Sequence, residues 1–196
     1  MTTKLKSQLI GSILEEHEAA FKGSFGAENI KLLEQISEQI AEAFKRGNKL
    51  LLCGNGGSAA DAQHIAAEFI GRFKRERKSL PAIALTTDSS ILTALANDYS
   101  YETVFSRQVE GLGEKGDILI GLSTSGTFKN VVEAVKRAKE LGLVTIGLTG
   151  KSGGDLKKLC DFNFSAGSGK TPHVQEMHIT ALHAISEAVE DILFPA

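Results

Sequence analysis

Hydrophobic positions along this chain follow two rhythms. Through residues 1–47 they recur at intervals of three and four: Leu5, Leu9 and Ile13 with Ile10 and Leu14 in one segment, then Leu33, Ile36, Ile40 and Phe44 in a second. That period predicts two amphipathic helices. Beyond them, short apolar runs alternate with helical stretches: Lys49–Cys53, Ala82–Thr86, Asp117–Leu122, Leu143–Leu148 and Phe162–Phe164. The first four are rich in Leu, Ile and Val with little polar alternation, the pattern of strands covered on both faces of a parallel sheet. The fifth is short and fits an edge strand. A final helix is expected from about Pro172 to Leu193, with the proline suited to its first turn. No repeat, low-complexity tract or linker interrupts the chain. The expectation is one α/β domain over residues 1–196, a five-stranded parallel sheet flanked by helices, with residues 1–47 as a helical extension. A five-stranded unit does not need those first helices. They either pack on their own sheet or build an interface with another subunit.

Composition narrows the function classes. With 196 residues and a net charge of −2, the chain lacks the basic footprint of a nucleic-acid or anionic-membrane binder. The one basic cluster, Arg72 to Lys78, is interrupted by Phe73 and Glu76 and reads as a solvated helix end as readily as a binding patch. Glu15, Glu16 and Glu18 fall where a signal peptide would continue its apolar run, and no run is long enough to span a bilayer, so a cytoplasmic protein is expected. Cys53 and Cys160 form neither a disulfide framework nor a zinc-ribbon spacing, and Cys53, at a strand end, reads as a small buried apolar residue.

Chemistry gathers at three strand ends, where open α/β sheets bind ligands. They are Gly54-Asn55-Gly56-Gly57-Ser58, Ser123-Thr124-Ser125-Gly126-Thr127 and Thr149-Gly150-Lys151-Ser152-Gly153-Gly154. Neither the dinucleotide fingerprint nor the Walker pattern is present. In the first, a strand breaks at glycines and Ser58 stands where a helix N-cap would be, aiming backbone N–H groups and a helix dipole at one spot suited to phosphate. The second adds hydroxyls to the same arrangement. Asn97-Asp98 reads on its own as a turn-forming pair after the helical stretch Ser90–Ala96.

The helix after the first loop carries Asp61, His64, Glu68 and Arg72 on one face and Ala62, Ile65, Ala66 and Phe69 on the other. His64 and Glu68, four residues apart, suit a metal or an acid–base pair. A Glu68–Arg72 ion pair on a solvated face is the plainer alternative. The last helix carries His173, His178 and His183, with Gln175 two turns before His183, among Ile179, Leu182, Ile185, Val189 and Ile192. An imidazole among apolar positions needs a partner. Spacing does not choose between His178 and His183.

The segments CGNGGSAADAQHIAAEFIGRF (53–73), LTTDSSILTALANDY (85–99), EKGDILIGLSTSG (114–126) and the VQEMH segment with His183 (174–183) resemble the phosphoheptose isomerases, a family of SIS (sugar isomerase) domains. The resemblance spans essentially the whole chain. It implies an aldose–ketose isomerase that converts sedoheptulose 7-phosphate to D-glycero-D-manno-heptose 7-phosphate through an enediol, the first step of ADP- or GDP-heptose precursor supply for lipopolysaccharide or another surface polymer. By resemblance, Asn55, Gly56, Gly57, Asn97 and Asp98 contact the sugar, and Ser123, Thr124 and Ser125 hold the phosphate. His64, Glu68, Gln175 and His183 surround one zinc per subunit, with Glu68 and Gln175 also facing the substrate. Glu68 and His183 are the proton-transfer pair, and His178 is structural. The family is a homotetramer with active sites near subunit interfaces, which turns the N-terminal helices toward oligomerisation. One departure stands out: Phe128 occupies a position where the family usually has a further phosphate-binding serine. Phosphate binding is then expected to lean on Ser123, Thr124, Ser125 and the helix N-terminus, and to be somewhat weaker.

The main rival is a non-catalytic SIS protein that binds the bacterial replication initiator, toward which the closing Leu193-Phe194-Pro195 leans. Such regulators lack the residues matching Glu68 and His183, and both are present here. A sugar-phosphate sensor joined to DNA binding would need a basic face or helix-turn-helix segment, and none accompanies this domain.

Overall fold

The computed structural model describes residues 3–195. Five strands form a single all-parallel sheet: β1 (Leu50–Gly54), β2 (Ala82–Ala84), β3 (Ile118–Ser123), β4 (Val144–Thr149) and β5 (Phe162–Ser165), in the order β2-β1-β3-β4-β5. β1, β3 and β4 are the central strands and are buried almost throughout. β5 lies at one edge, as its weaker pattern foretold.

Strand alternation sorts the core into two halves. Leu50, Leu52, Ile118, Ile120, Ile146 and Leu148 face one side, beneath α2 (Ala27–Lys45), α3 (Gly57–Ile70) and α8 (Thr171–Leu193). Leu51, Cys53 and Leu119 face the other, beneath α5 (Ser106–Leu112) and α6 (Lys129–Leu141). α4 (Ser89–Asp98) and the short α7 (Leu156–Leu159) complete that second layer. Two consequences position the site. The sheet order reverses between β1 and β3, so their carboxyl ends flank the crevice where this topology binds ligands. And α3 and α8 lie side by side on one face, so side chains from both can meet.

The two N-terminal helices differ. On α2, Leu33, Ile36, Ile40 and Phe44 are buried against the core, as expected. On α1 (Thr3–Ser24), Leu9, Ile10, Ile13, Leu14 and Phe21 are all exposed, while the Leu5 side chain lies outside the described residues. Cys53 and Cys160 are free, and burial raises both thiols, Cys160 to about 12. No helix among the described residues is long and apolar enough to cross a membrane.

Candidate active site

The first loop turns from β1 into α3 through Gly56, whose φ of +57° is open to glycine and strained for other residues. Gly56, not Ser58, is the N-cap. Ser58 falls inside the first turn with its hydroxyl buried and without a hydrogen-bond partner. The cap expected at Ser58 therefore falls two residues too late, because the helix already starts at the glycine turn. Gly57 sits under the Gln175 amide: a Cβ there would lie 2.5 Å from Gln175 Nε2. Gln175 on α8 is thereby set directly against the start of α3.

The second loop is held by its own short polar groups. The buried Ser123 Oγ accepts from Gly126 N at 3.0 Å, and Phe128 N approaches it at 3.5 Å. Ser125 Oγ accepts from Thr127 N at 3.2 Å. Thr124 and Ser125 remain half-exposed at the strand end. Phe128 is the N-cap of α6, offers no capping side chain, and packs its ring partly into the core. The third loop acts behind the second. Gly150 N donates to Thr124 O at 3.1 Å, and Asp155 and Leu156 both donate to Gly126 O. At Gly126, φ is +74° and a Cβ would lie 2.1 Å from Gly153 O, so the two loops touch through backbone.

On α3, Ala62, Ile65, Ala66 and Phe69 are buried, and the polar stripe faces out, as its periodicity predicted. His64 Nε2 lies 3.3 Å from Glu68 Oε1 and 2.9 Å from His183 Nε2 of α8. These three ligand atoms all fall within 4.8 Å of one another. The structure thus selects His183. His178 is fully buried, its Nε2 donating to Thr149 O at 3.1 Å, and burial pushes its pKa down to about 4, so it stays neutral and pins α8 to β4. The alternative Glu68–Arg72 pair does not form: Glu68 turns to His64, and Arg72 pairs with Glu76 at 3.5 Å. Asp61, one turn before His64, is half-buried, and burial raises its carboxyl to about 6 against the pull of His64.

Two nitrogen lone pairs and a carboxylate oxygen converging in this way fit a divalent cation. Two bonds of about 2.0–2.1 Å at a tetrahedral angle place zinc ligands roughly 3.3 Å apart. The His64–Glu68 separation of 3.3 Å meets that value, and the His64–His183 separation of 2.9 Å needs the rings to part by a few tenths of an ångström.

In the basic cluster at 72–78, Arg72, Lys74 and Lys78 are exposed as a solvated segment would be, but Arg77 is not. Arg77 and Glu190 form an ion pair at 3.0 Å with both side chains 2% exposed. Glu190 also accepts from the backbone N–H groups of Phe73, Lys74 and Arg75. Arg77 donates to the carbonyls of Glu68, Phe69 and Gly71, closing the end of α3. One buried pair therefore ties α3 to α8 and lays the Phe73 ring on His183, centroids 5.6 Å apart at 27°. Sequence reading missed this pair. Its signal was an acidic residue, Glu190, on the apolar stripe of α8.

Asn97 and Asp98 lie in the last turn of α4 rather than in a loop, exposed, with Asn97 Nδ2 donating to Asp98 Oδ1 at 2.8 Å. Neither side chain reaches the other site residues of this chain through a hydrogen bond among those described. The residues that do reach the first loop were unforeseen: Asn55 bonds to Asn130 and Tyr101. Asn130 was detectable in principle, as an amide on the buried face of an amphipathic helix. Nothing in the local pattern marks Tyr101.

Known proteins share this sequence pattern and fold. The SIS domain family model matches residues 19–150. The phosphoheptose isomerase of Aliarcobacter butzleri is 58% identical over 161 residues, covering 82% of this chain and 85% of its own. The chain belongs to the phosphoheptose isomerase family. Its fold matches the solved phosphoheptose isomerase of Francisella tularensis with a TM-score of 0.91 at 34% identity, covering 97% of this chain and all of that one. The Neisseria gonorrhoeae phosphoheptose isomerase gives 0.88 at 39% identity, over 94% and 98%. The chain is an isomerase, and the binding-only alternative finds no support in relatives of this kind.

Proposed function

We propose that this enzyme interconverts sedoheptulose 7-phosphate and D-glycero-D-manno-heptose 7-phosphate through an enediol, with the phosphate at the β3–α6 loop and the reacting carbons at the α3–α8 cluster. The observation that carries the reading is the meeting of His64, Glu68 and His183 from two helices at the edge of the crevice. Isomerisation moves two protons and no net electrons. A proton leaves C1 of the ketose, beside the carbonyl, and one returns to C2, while the hydroxyl proton passes between the two oxygens. In this reading Glu68 and His183 are the proton-transfer pair: one takes the carbon-bound proton, and the other relays between the oxygens. His64, Glu68, Gln175 and His183 would hold one zinc per subunit. When bound, zinc supplies a Lewis acid that stabilises negative charge on the enediol oxygens.

Ser123, Thr124, Ser125 and the start of α6 hold the phosphate, and Asn55, Gly56, Gly57, Asn97 and Asp98 serve the sugar. Asn97 and Asp98 do so in an assembly where sites lie near subunit interfaces. The exposed apolar row Leu9, Ile10, Ile13, Leu14 and Phe21 on α1 supports residues 1–47 as the extension that builds a homotetramer. A cytoplasmic place in heptose precursor supply fits this chemistry.

Turnover of sedoheptulose 7-phosphate by the wild type, Glu68→Gln and His183→Ala tests the reading. Each variant is expected to lose on the order of 100- to 10,000-fold in kcat while keeping its melting temperature. Unchanged turnover in either variant removes that residue from the proton path. A folded, zinc-loaded wild type that turns nothing over overturns the whole assignment.

A further inference from the structure

The amide of Asn55 is gripped from two sides. Asn55 and Asn130 form a reciprocal pair, each Nδ2 donating to the other's Oδ1 at 2.9 Å. The Tyr101 hydroxyl donates to the same Asn55 Oδ1 at 3.0 Å. Asn130 is the second residue of α6 and is buried, and Tyr101 lies exposed on the short 3-10 turn Tyr101–Thr103. The next residue of that turn, Glu102, holds Lys129, the first residue of α6, at 2.8 Å. One turn thus grips both the loop after β1 and the start of the helix after β3.

Counting valences defines what Asn55 can still do. An amide oxygen has two lone pairs and an amide nitrogen two N–H groups. Both lone pairs of Asn55 Oδ1 are occupied, by Asn130 Nδ2 and Tyr101 OH, and one N–H is spent on Asn130 Oδ1. One N–H remains. The Asn55 side chain therefore meets a ligand as a single donor and never as an acceptor, and the atom it contacts is a carbonyl, hydroxyl or phosphate oxygen.

We propose that Tyr101 and Asn130 are positioning residues for sugar-phosphate recognition. They fix the Asn55 amide with one free N–H as donor and tie it to the start of α6, so that the sugar contact and the phosphate cradle keep a constant spacing. The inference rests on reading Asn55 as a substrate contact. Tyr101 acts through Asn55 alone, so its hydroxyl matters only while Asn55 is present.

Steady-state turnover of sedoheptulose 7-phosphate by Asn55→Ala, Tyr101→Phe, Asn130→Ala and the double variant Asn55→Ala/Tyr101→Phe decides the matter. Tyr101→Phe removes one exposed hydroxyl and is expected to raise KM by about 2- to 10-fold, with kcat and melting temperature unchanged. Asn130→Ala raises KM further, and Asn55→Ala by at least as much. The double variant should match Asn55→Ala alone. If Asn55→Ala raises KM while Tyr101→Phe does not, the positioning inference is overturned and the substrate contact stands. If Tyr101→Phe acts as strongly without Asn55 as with it, Tyr101 works by another route. If Asn55→Ala leaves KM unchanged, the contact itself fails and the inference goes with it.

Discussion

At the proposed phosphate end of the crevice, the groups that shape the loop come from six neighbouring residues, Ser123 to Phe128, and most are backbone N–H groups or short hydroxyls. At the proposed metal end, the three converging side chains come from positions as far as 119 residues apart, on two separate helices. The first end is a local device, stiffened by a glycine contact from the next loop. The second exists only while α3 and α8 keep their register, and the buried Arg77–Glu190 pair is what joins them beside the site. The contrast separates two kinds of fragility: the loop fails by a local steric change, the three-residue cluster by loss of the buried pair that joins its two helices.

Of the two supports, the one at the cradle is expected to show the larger effect on turnover when broken, by Gly126→Ala. Alanine there combines a φ of +74° with a Cβ 2.1 Å from Gly153 O, so the loop must shift by about an ångström or more. A displacement of that size costs on the order of 100-fold in kcat/KM. Metal binding should be untouched, as titration with zinc would check. Metal affinity falling in step with activity would show that the two ends are not separable.

Glu190→Gln is the reciprocal break. It keeps the volume but leaves the Arg77 charge buried and uncompensated, a loss of about 3–5 kcal/mol in thermal or denaturant unfolding. Metal affinity should fall by about 10- to 100-fold, as when supporting contacts around a ligand set are removed. Inhibition by inorganic phosphate should persist in the folded fraction. The pH dependence has a definite sign. Burial alone would raise the Glu190 carboxyl, but the N–H groups of Lys74, Arg75 and Phe73 and the Arg77 side chain outweigh it and hold its pKa below the usual value. Its contribution is therefore present above about pH 4.3 and is lost as pH falls through the lower folded value. The variant should lose that acid-side slope in its stability profile.

The same contrast governs what could be read from the chain. β1, β3 and β4 were placed within a residue of their observed bounds, because strands buried on both faces leave continuous apolar runs. The cradle was legible for a similar reason: glycines and hydroxyls after a strand are neighbours in sequence as well as in space. His64 and Glu68 shared a face by helical period, yet their partner was ambiguous, because period alone cannot say whether His178 or His183 points at α3. The buried contact of His178 with Thr149 O answers that, and it is a tertiary fact. Arg77 was hidden inside a cluster that looked solvated, since its partner lies 113 residues away. Asn97 and Asp98 were read as a turn because Asx residues favour turns, whereas α4, capped by Asp88, runs on through them.

The most direct test of the account is the zinc content and zinc affinity of the purified protein beside His64→Ala and His183→Ala. The account predicts one zinc per chain in the wild type, with binding lost or strongly weakened in both variants, although the two residues sit on different helices. A wild type that binds no metal, or variants that bind as tightly as the wild type, would contradict a single centre shared by α3 and α8.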